Sequence, residues 1–203
     1  MEGKDREDIP YFWEDSKEAR IPYPNVKKAS LLNRFFLKQA NRSGNSKCDL
    51  HLFTMMLYHK SCYVPYLLYL QGLLSKGTIP MLEKDRIIIR AAWRLDCPYE
   101  YTHHVNMGLR HGLSKEEIVS LTQETSGDWD GRTRAVMAAV DELTAKRDLS
   151  SPAWEALKAY YTDQQMYEFI ALVSNYDMVA IIDNTLRVPV EPEHRISSGR
   201  EPL

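Results

Sequence analysis

Cys97, Glu100 and His104 are separated by three and four residues. At ~100° per residue on an α-helix, the three side chains fall within about 60° of one face. A thiol, a carboxylate and an imidazole therefore share one stripe. Pro98 stands at the start of that helix, so Cys97 sits at its N-terminus, where the helix dipole favours a thiolate or another anion. Glu100, in the first turn, feels the same field. His104 titrates near neutrality and is suited to take or give a proton. Two divisions of labour are open. Glu100 orients the imidazole and His104 is the base, or Glu100 is the base and His104 donates to a developing oxyanion. Either suits proton transfer beside a carbonyl, or decarboxylation through an enolate-like intermediate. On a solvated helix face the same pair would be a surface contact worth about 0.2–0.5 kcal/mol. His103 points about 100° away from His104 and is a candidate to touch substrate. His111 extends the stripe but stands beside the end of the helix, where exposure is expected.

Other chemistries lack their residues. There is no HExxH, no CxxC and no paired histidine pattern beyond His103-His104, so no metal is expected. GxGxxG, P-loop and GxSxG motifs are missing too, which removes the common nucleotide and serine-hydrolase readings, and no cofactor is expected. Cys48 and Cys62 lie in loop-like surroundings and are expected to be inert. An odd count of three scattered cysteines fits a reducing compartment, and no apolar stretch of signal-peptide type follows the charged Met1 to Asp8. A cytoplasmic protein is expected. Lys plus Arg is 26 against 28 for Asp plus Glu, a net charge of −2, which argues against a nucleic-acid partner. The longest apolar stretch, Met166 to Leu186, is interrupted by Glu168, Asp177 and Asp183, so it reads as a buried helix and no membrane partner is expected.

The elements that must position the stripe are helices. At 203 residues, with 44% hydrophobic and 27% charged side chains, the chain suits one globular domain with extensions. Residues 1–48 read as an N-terminal extension with a short amphipathic helix over 29–40. Residues 49–190 read as the helical domain, and 191–203 as a flexible tail. Within the domain, 50–59 and 65–74 form apolar segments separated by Ser61-Cys62-Tyr63. Met81 to Leu95 forms the next helix, and Tyr99 to His111 another, stopped at Gly112. Ser114 to Glu117 and Thr162 to Gln165 are capping boxes, and Ser151-Pro152 marks a further helix start. The last long helix carries Met166, Phe169, Ile170, Val173, Asp177, Ala180, Ile181 and Asn184 at helical spacing. No strand alternation occurs.

Three stretches carry a resemblance. They are Leu82 to Ala92 (LEKDRIIIRAA), Cys97 to Val105 (CPYEYTHHV) and Gly112-Leu113-Ser114. Together they resemble the carboxymuconolactone decarboxylase family, which includes the AhpD-like alkylhydroperoxidases. Val173 to Met178, Asn184 to Pro189 and Arg20 to Pro24 are similar to its closing helix and its opening segment. The likeness covers about residues 50 to 190 and points to a single-copy member.

The resemblance implies an all-α, AhpD-like helical bundle that assembles into a homo-oligomer (dimer, trimer or hexamer) with sites near subunit contacts. Its peroxidase branch uses a CxxC pair, a histidine four residues on and an upstream acid. Cys97 matches the first cysteine, Glu100 stands at the second, His104 matches the histidine and Asp85 the acid. Without a second thiol beside it, Cys97 cannot close the local disulfide of a two-cysteine peroxidase. The implied activity is a cofactor-free lyase or isomerase acting on a small organic acid or lactone. Asp85, Glu100 and His104 would handle protons, and Cys97 would line the pocket or act as a weak acid. Tyr99, Tyr101 and His103 would contact substrate, the tyrosines with Trp93 as apolar walls, though core packing suits Trp93 better. A thiol-dependent hydroperoxide reductase using Cys97 and a non-catalytic oligomeric family member are the alternatives.

Overall fold

The computed structural model describes residues 8–14, 16, 18–124 and 129–196. Nine α-helices run through the described residues, with no strand among them. They are α1 (Leu31–Ser43), α2 (His51–Met56), α3 (Lys60–Ser75), α4 (Met81–Arg94), α5 (Pro98–His111), α6 (Lys115–Thr122), α7 (Gly131–Lys146), α8 (Ser151–Lys158) and α9 (Asp163–Leu186). Short 3₁₀ turns lie at Val26–Lys28 and Pro192–His194.

The bundle is built around α4, which packs against α5, α6, α7 and α9. A helix covered on all sides has no solvent stripe, and this is why Ile87, Ile88 and Ile89 occur in succession: all three are fully buried. The charged residues of α4 are anchored. Arg90, also fully buried, donates to the carbonyls of Leu121 and Gln123 at the end of α6 and to both carboxylate oxygens of Asp141. Lys84 donates to the carbonyls of Leu73 and Leu74 at the end of α3 and pairs with Glu168 of α9 at 2.9 Å. In this way α4 closes the ends of two neighbouring helices that would otherwise bury unpaired carbonyls.

The turn between α4 and α5 sets the register of the site. Asp96 takes the left-handed conformation at φ 49°, the Asp96 amide donates to the Trp93 carbonyl, and the Cys97 amide to that of Ala92. This is a Schellman stop with Asp in the place Gly usually fills. It reverses the chain, and Pro98 starts α5 with its φ preset. At the other end Gly112, φ 109°, stops α5, with the Leu113 amide returning to the Gly108 carbonyl.

Both capping boxes form as the spacing predicts, at Ser114/Glu117 and Thr162/Gln165. The cap of α8 is Ser150, one residue before the expected Ser151. Two further differences have local causes. Ser61, Cys62 and Tyr63 do not separate two helices; they form the first turn of α3, and Pro65 is accommodated inside it. The tail from Glu191 does not fray over its described part: Glu191, His194 and Ile196 are buried. The α9 stop at Arg187, φ 53°, turns the chain back over α5. There the Asn106 side chain donates to the His194 carbonyl.

No helix among the described residues is long and apolar enough to cross a membrane.

Candidate active site

Glu100 and His104 lie on one face of α5, with Glu100 Oε2 3.4 Å from His104 Nε2. Both are nearly buried, at 6% and 5% exposure. They line one cavity of about 720 Å³ together with Asp85 of α4, Tyr99, His103 and His111 of α5, and Asn175 and Tyr176 of α9. The remaining wall is mainly apolar and comes from α1, α2 and α3, including Phe36, Phe53 and Leu67. Phe35, Gln39 and His111 form part of its exposed rim.

The electrostatic centre is His104. Its Nε2 is 2.9 Å from the Tyr176 hydroxyl, and the two rings meet edge to face. Its Nδ1 lies 4.0 Å from Asp85, too far for a hydrogen bond, so Asp85 acts on it as a nearby charge. Burial alone would lower the imidazole pKa, but Asp85 and Glu100 outweigh burial and push it from 6.5 up to about 9. The folded state thus holds this proton more tightly than the unfolded chain. The resulting stability is complete below about pH 6.5 and is lost as the pH rises through about 9. Denaturation midpoints are expected to fall across that window, and His104→Gln to flatten most of the fall; an unchanged profile in the variant would contradict the assignment.

Asp85 has a second partner. Its Oδ2 is 2.6 Å from His111 Nδ1. His111, expected simply to be exposed, keeps 35% of its side chain open yet forms part of the cavity and holds Asp85.

A second polar group lies beside the first. Glu191 Oε1 accepts from the Tyr99 hydroxyl at 2.8 Å and from the His51 amide at 2.5 Å, and Oε2 is 2.7 Å from His103 Nε2. Burial opposes ionisation of Glu191, but His103 and the His51 amide outweigh it and bring the carboxyl down to about 2. A carboxylate only accepts, so Nε2 of His103 carries the proton of that bond.

Asp183 of α9 is 2% exposed. Burial, then the neighbouring Glu100 and Glu191, push its carboxyl well above the ordinary value.

The structure divides the expected site residues. Asp85, Tyr99, Glu100, His103 and His104 come together on the cavity. Tyr101 does not: one residue on from Glu100, it is rotated about 100° around α5 and is fully buried among Trp13, Trp93 and the main core. Trp93 packs there as well. Cys97 is fully buried in a separate apolar cluster with Leu52, Met55 and Val179. The helix dipole does not make it a thiolate; burial, then Asp183 and Glu100, raise its pKa well above that of an ordinary thiol. Four residues were missed: Asn175, Tyr176, Asp183 and Glu191. Of the stripe expected on α9, Met166, Phe169, Val173 and Ala180 are buried, but Ile181 and Asn184 are exposed, and Tyr176, Val179 and Asp183 face inward as well. Among the described residues no group of three His, Cys, Asp or Glu side chains is arranged to hold a metal ion.

Residues 65–142 match the carboxymuconolactone decarboxylase family. That stretch contains Asp85, Glu100, His103, His104 and His111, while Asn175, Tyr176, Asp183 and Glu191 lie beyond it. Among solved structures the chain is similar to a debrominase, Bmp8, in complex with 2,3,4-tribromopyrrole: 14% identity, TM-score 0.77, covering 89% of this chain and 96% of that one. It is also similar to an uncharacterized peroxidase-related protein from Silicibacter sp. (10% identity, TM-score 0.78, 94% and 100% covered). A third is an uncharacterized peroxidase-related protein from Ralstonia eutropha with an alkylhydroperoxidase AhpD core (16% identity, TM-score 0.73, 93% and 100% covered). At such identities the likeness speaks to the fold. No curated protein matches the sequence.

Proposed function

We propose that the chain, whose residues 65–142 match the carboxymuconolactone decarboxylase family and whose fold is shared with AhpD-like structures, is a member of that family and that its cavity is the active site of a lyase or isomerase. The reaction moves a proton beside the carbonyl of a small organic acid or lactone. The observation that carries this reading is the setting of His104: an imidazole pushed up to about 9, between Asp85 and Glu100, with the Tyr176 hydroxyl at 2.9 Å.

That setting favours one division of labour. An imidazole already protonated at neutral pH is a poor base and a good donor. Glu100 is then the base that removes the substrate proton. His104 supports the Tyr176 hydroxyl, which burial and Glu100 keep protonated, and Tyr176 turns its own hydrogen toward the developing enolate oxygen. Asp85 holds the imidazolium, and His111 holds Asp85. Tyr99 and His103, fixed by Glu191, form the substrate wall. A proton shift of this kind draws on the side chains alone.

The test is to incubate the full chain with a panel of β-keto acids, neutral lactones and neutral ketones in deuterated water. Release of carbon dioxide, or deuterium gain next to the carbonyl, is expected. Neither signal from a folded protein across the panel would remove the reading.

Hydroperoxide reduction through Cys97 finds less support, since the thiol is sealed and its pKa raised. Cys97→Ser is expected to keep most of the turnover. Peroxide-dependent thiol consumption that disappears in this variant would favour the peroxidase instead.

Assembly into a homo-oligomer belongs to the same proposal. Leu31, Leu32 and Phe35 on α1 are 81%, 56% and 54% exposed, an apolar face that a second copy would cover. Phe35 also lines the cavity, so that contact would border the site.

A further inference from the structure

Asn175 lines the buried end of the cavity at 4% exposure, and neither its Oδ1 nor its Nδ2 has a hydrogen-bond partner. Tyr66 lines the same cavity. Burial and Glu100 raise the Tyr66 pKa, and Asn175 offsets part of that rise without reaching hydrogen-bond geometry. An amide this deep with both polar atoms unmatched is unfavourable to the fold. It is matched when something in the cavity supplies an oxygen.

The charges around the cavity restrict what that oxygen belongs to. Asp85 and Glu100 contribute carboxyl groups, and among the described lining residues there is no Lys or Arg. His104 already stands between both carboxyl groups, His111 is bonded to Asp85, and His103 is bonded to Glu191. A ligand carboxylate would be a third acid with no cation left to meet it. A neutral amide offers an NH2 donor group and an oxygen acceptor instead, the complement of a carbonyl or a hydroxyl. The wall beyond it, with Phe36, Phe53 and Val179, is apolar.

We propose that Asn175 is the specificity-determining residue of this cavity: it binds the carbonyl or hydroxyl oxygen of an uncharged, largely apolar ligand and excludes carboxylates. The inference rests on the cavity being the active site. It narrows the reaction proposed above to a proton shift on a neutral carbonyl compound, and it sets aside decarboxylation of a free acid.

The test compares benzylacetone with hydrocinnamate, which have the same shape but end in a methyl ketone and a carboxylate. Both are titrated into the full chain by calorimetry at neutral pH. The ketone is expected to bind at least about tenfold more tightly, and Asn175→Leu to weaken it by about tenfold or more, because a site built to hydrogen-bond an oxygen loses that bond. The unfolding midpoint of Asn175→Leu is expected to hold or rise, since the unmatched amide is gone. If this variant does not fold, Asn175→Asp carries the same comparison: it keeps the size, removes the donor and adds charge. Four outcomes would each overturn the proposal: carboxylate binding as tight as ketone binding, undiminished ketone binding in the folded variant, a marked fall in the midpoint of Asn175→Leu, or uptake of neither compound at millimolar concentration. These measurements involve no turnover. Loss of turnover in Glu100 variants bears on the reaction, whereas the ketone-to-carboxylate ratio bears on Asn175.

Discussion

Glu100→Gln is expected to lower turnover by ~10²–10⁴-fold, the usual contribution of a positioned acid–base group. The amide keeps the shape and the hydrogen-bonding reach of the carboxylate but cannot accept a proton. His104→Gln is expected to produce a loss of similar size for a different reason: it removes the cation 2.9 Å from the Tyr176 hydroxyl and so weakens the donor to the developing oxyanion. The two groups act on one step, so the double variant is expected to be little worse than either alone. The fold offers a control. Glu100 is among the charges that push the buried Asp183 carboxyl up and among those that support the His104 proton, so Gln at this position removes one unfavourable and one favourable interaction and the unfolding midpoint is expected to change little. Since Glu100 also supports the His104 proton, the imidazole is expected to titrate below about 9 in Glu100→Gln. NMR titration of the ring nitrogens reads this directly. Full turnover in both single variants would end the assignment.

Lys84→Met is expected to be the most damaging single change to stability. The Lys84 side chain is 1% exposed and its ammonium pairs with Glu168, which is 9% exposed. Glu168 also accepts from the Thr78 amide at 2.6 Å and the Ile79 amide at 3.2 Å, which fixes the α3–α4 turn on α9. Removing the lysine leaves a buried carboxylate without its cation and the last carbonyls of α3 without a donor. Breaking one side of a buried pair costs about 3–5 kcal/mol. For a chain of this size that corresponds to a fall of roughly 6–20 °C in the melting temperature. Lys84→Met combined with Glu168→Leu is expected to recover part of the loss, because no lone charge remains, but not all of it, because the Thr78 and Ile79 amides stay unmatched. Gly77 tests the same junction from the other side. A Cβ there would lie 1.8 Å from Glu168 Oε1, so Gly77→Ala is expected to displace this carboxylate and lower the melting temperature too. A single variant at Lys84 that melts like the parent chain would show the pair to be dispensable.

The helical scaffold was legible because its signals are local. Caps at Ser114 and Thr162 and the stop at Gly112 depend on residues a few positions apart, and they form as expected. The Glu100/His104 pair was legible for the same reason, since one helix face is a matter of arithmetic. What local spacing cannot state is which face turns toward a cavity. Tyr101 is next to Glu100 in the chain, yet the rotation of one residue carries it into the Trp13 and Trp93 cluster. The dipole argument for Cys97 was sound for an exposed N-terminus and failed because burial opposes the thiolate more strongly. On α9 the apolar residues cover most of the circumference, so the inward face bearing Asn175, Tyr176 and Asp183 had no contrast to mark it. Glu191 was hidden by its surroundings: a proline-containing polar stretch reads as loose chain unless its distant partners are known.

The position of Glu191 bears on how this protein comes to its working shape. Its partners Tyr99 and His103 precede it by 92 and 88 residues. Glu191 follows the stop of α9 at Arg187, so these bonds form only once α9 has docked and its stop has turned the chain back. The central helices can therefore assemble into a native-like scaffold while the chamber is still unarmed, with one of its imidazoles unclamped. A chain cut before residue 188 is thus a natural probe of the order of events, expected to be helical and compact but inactive.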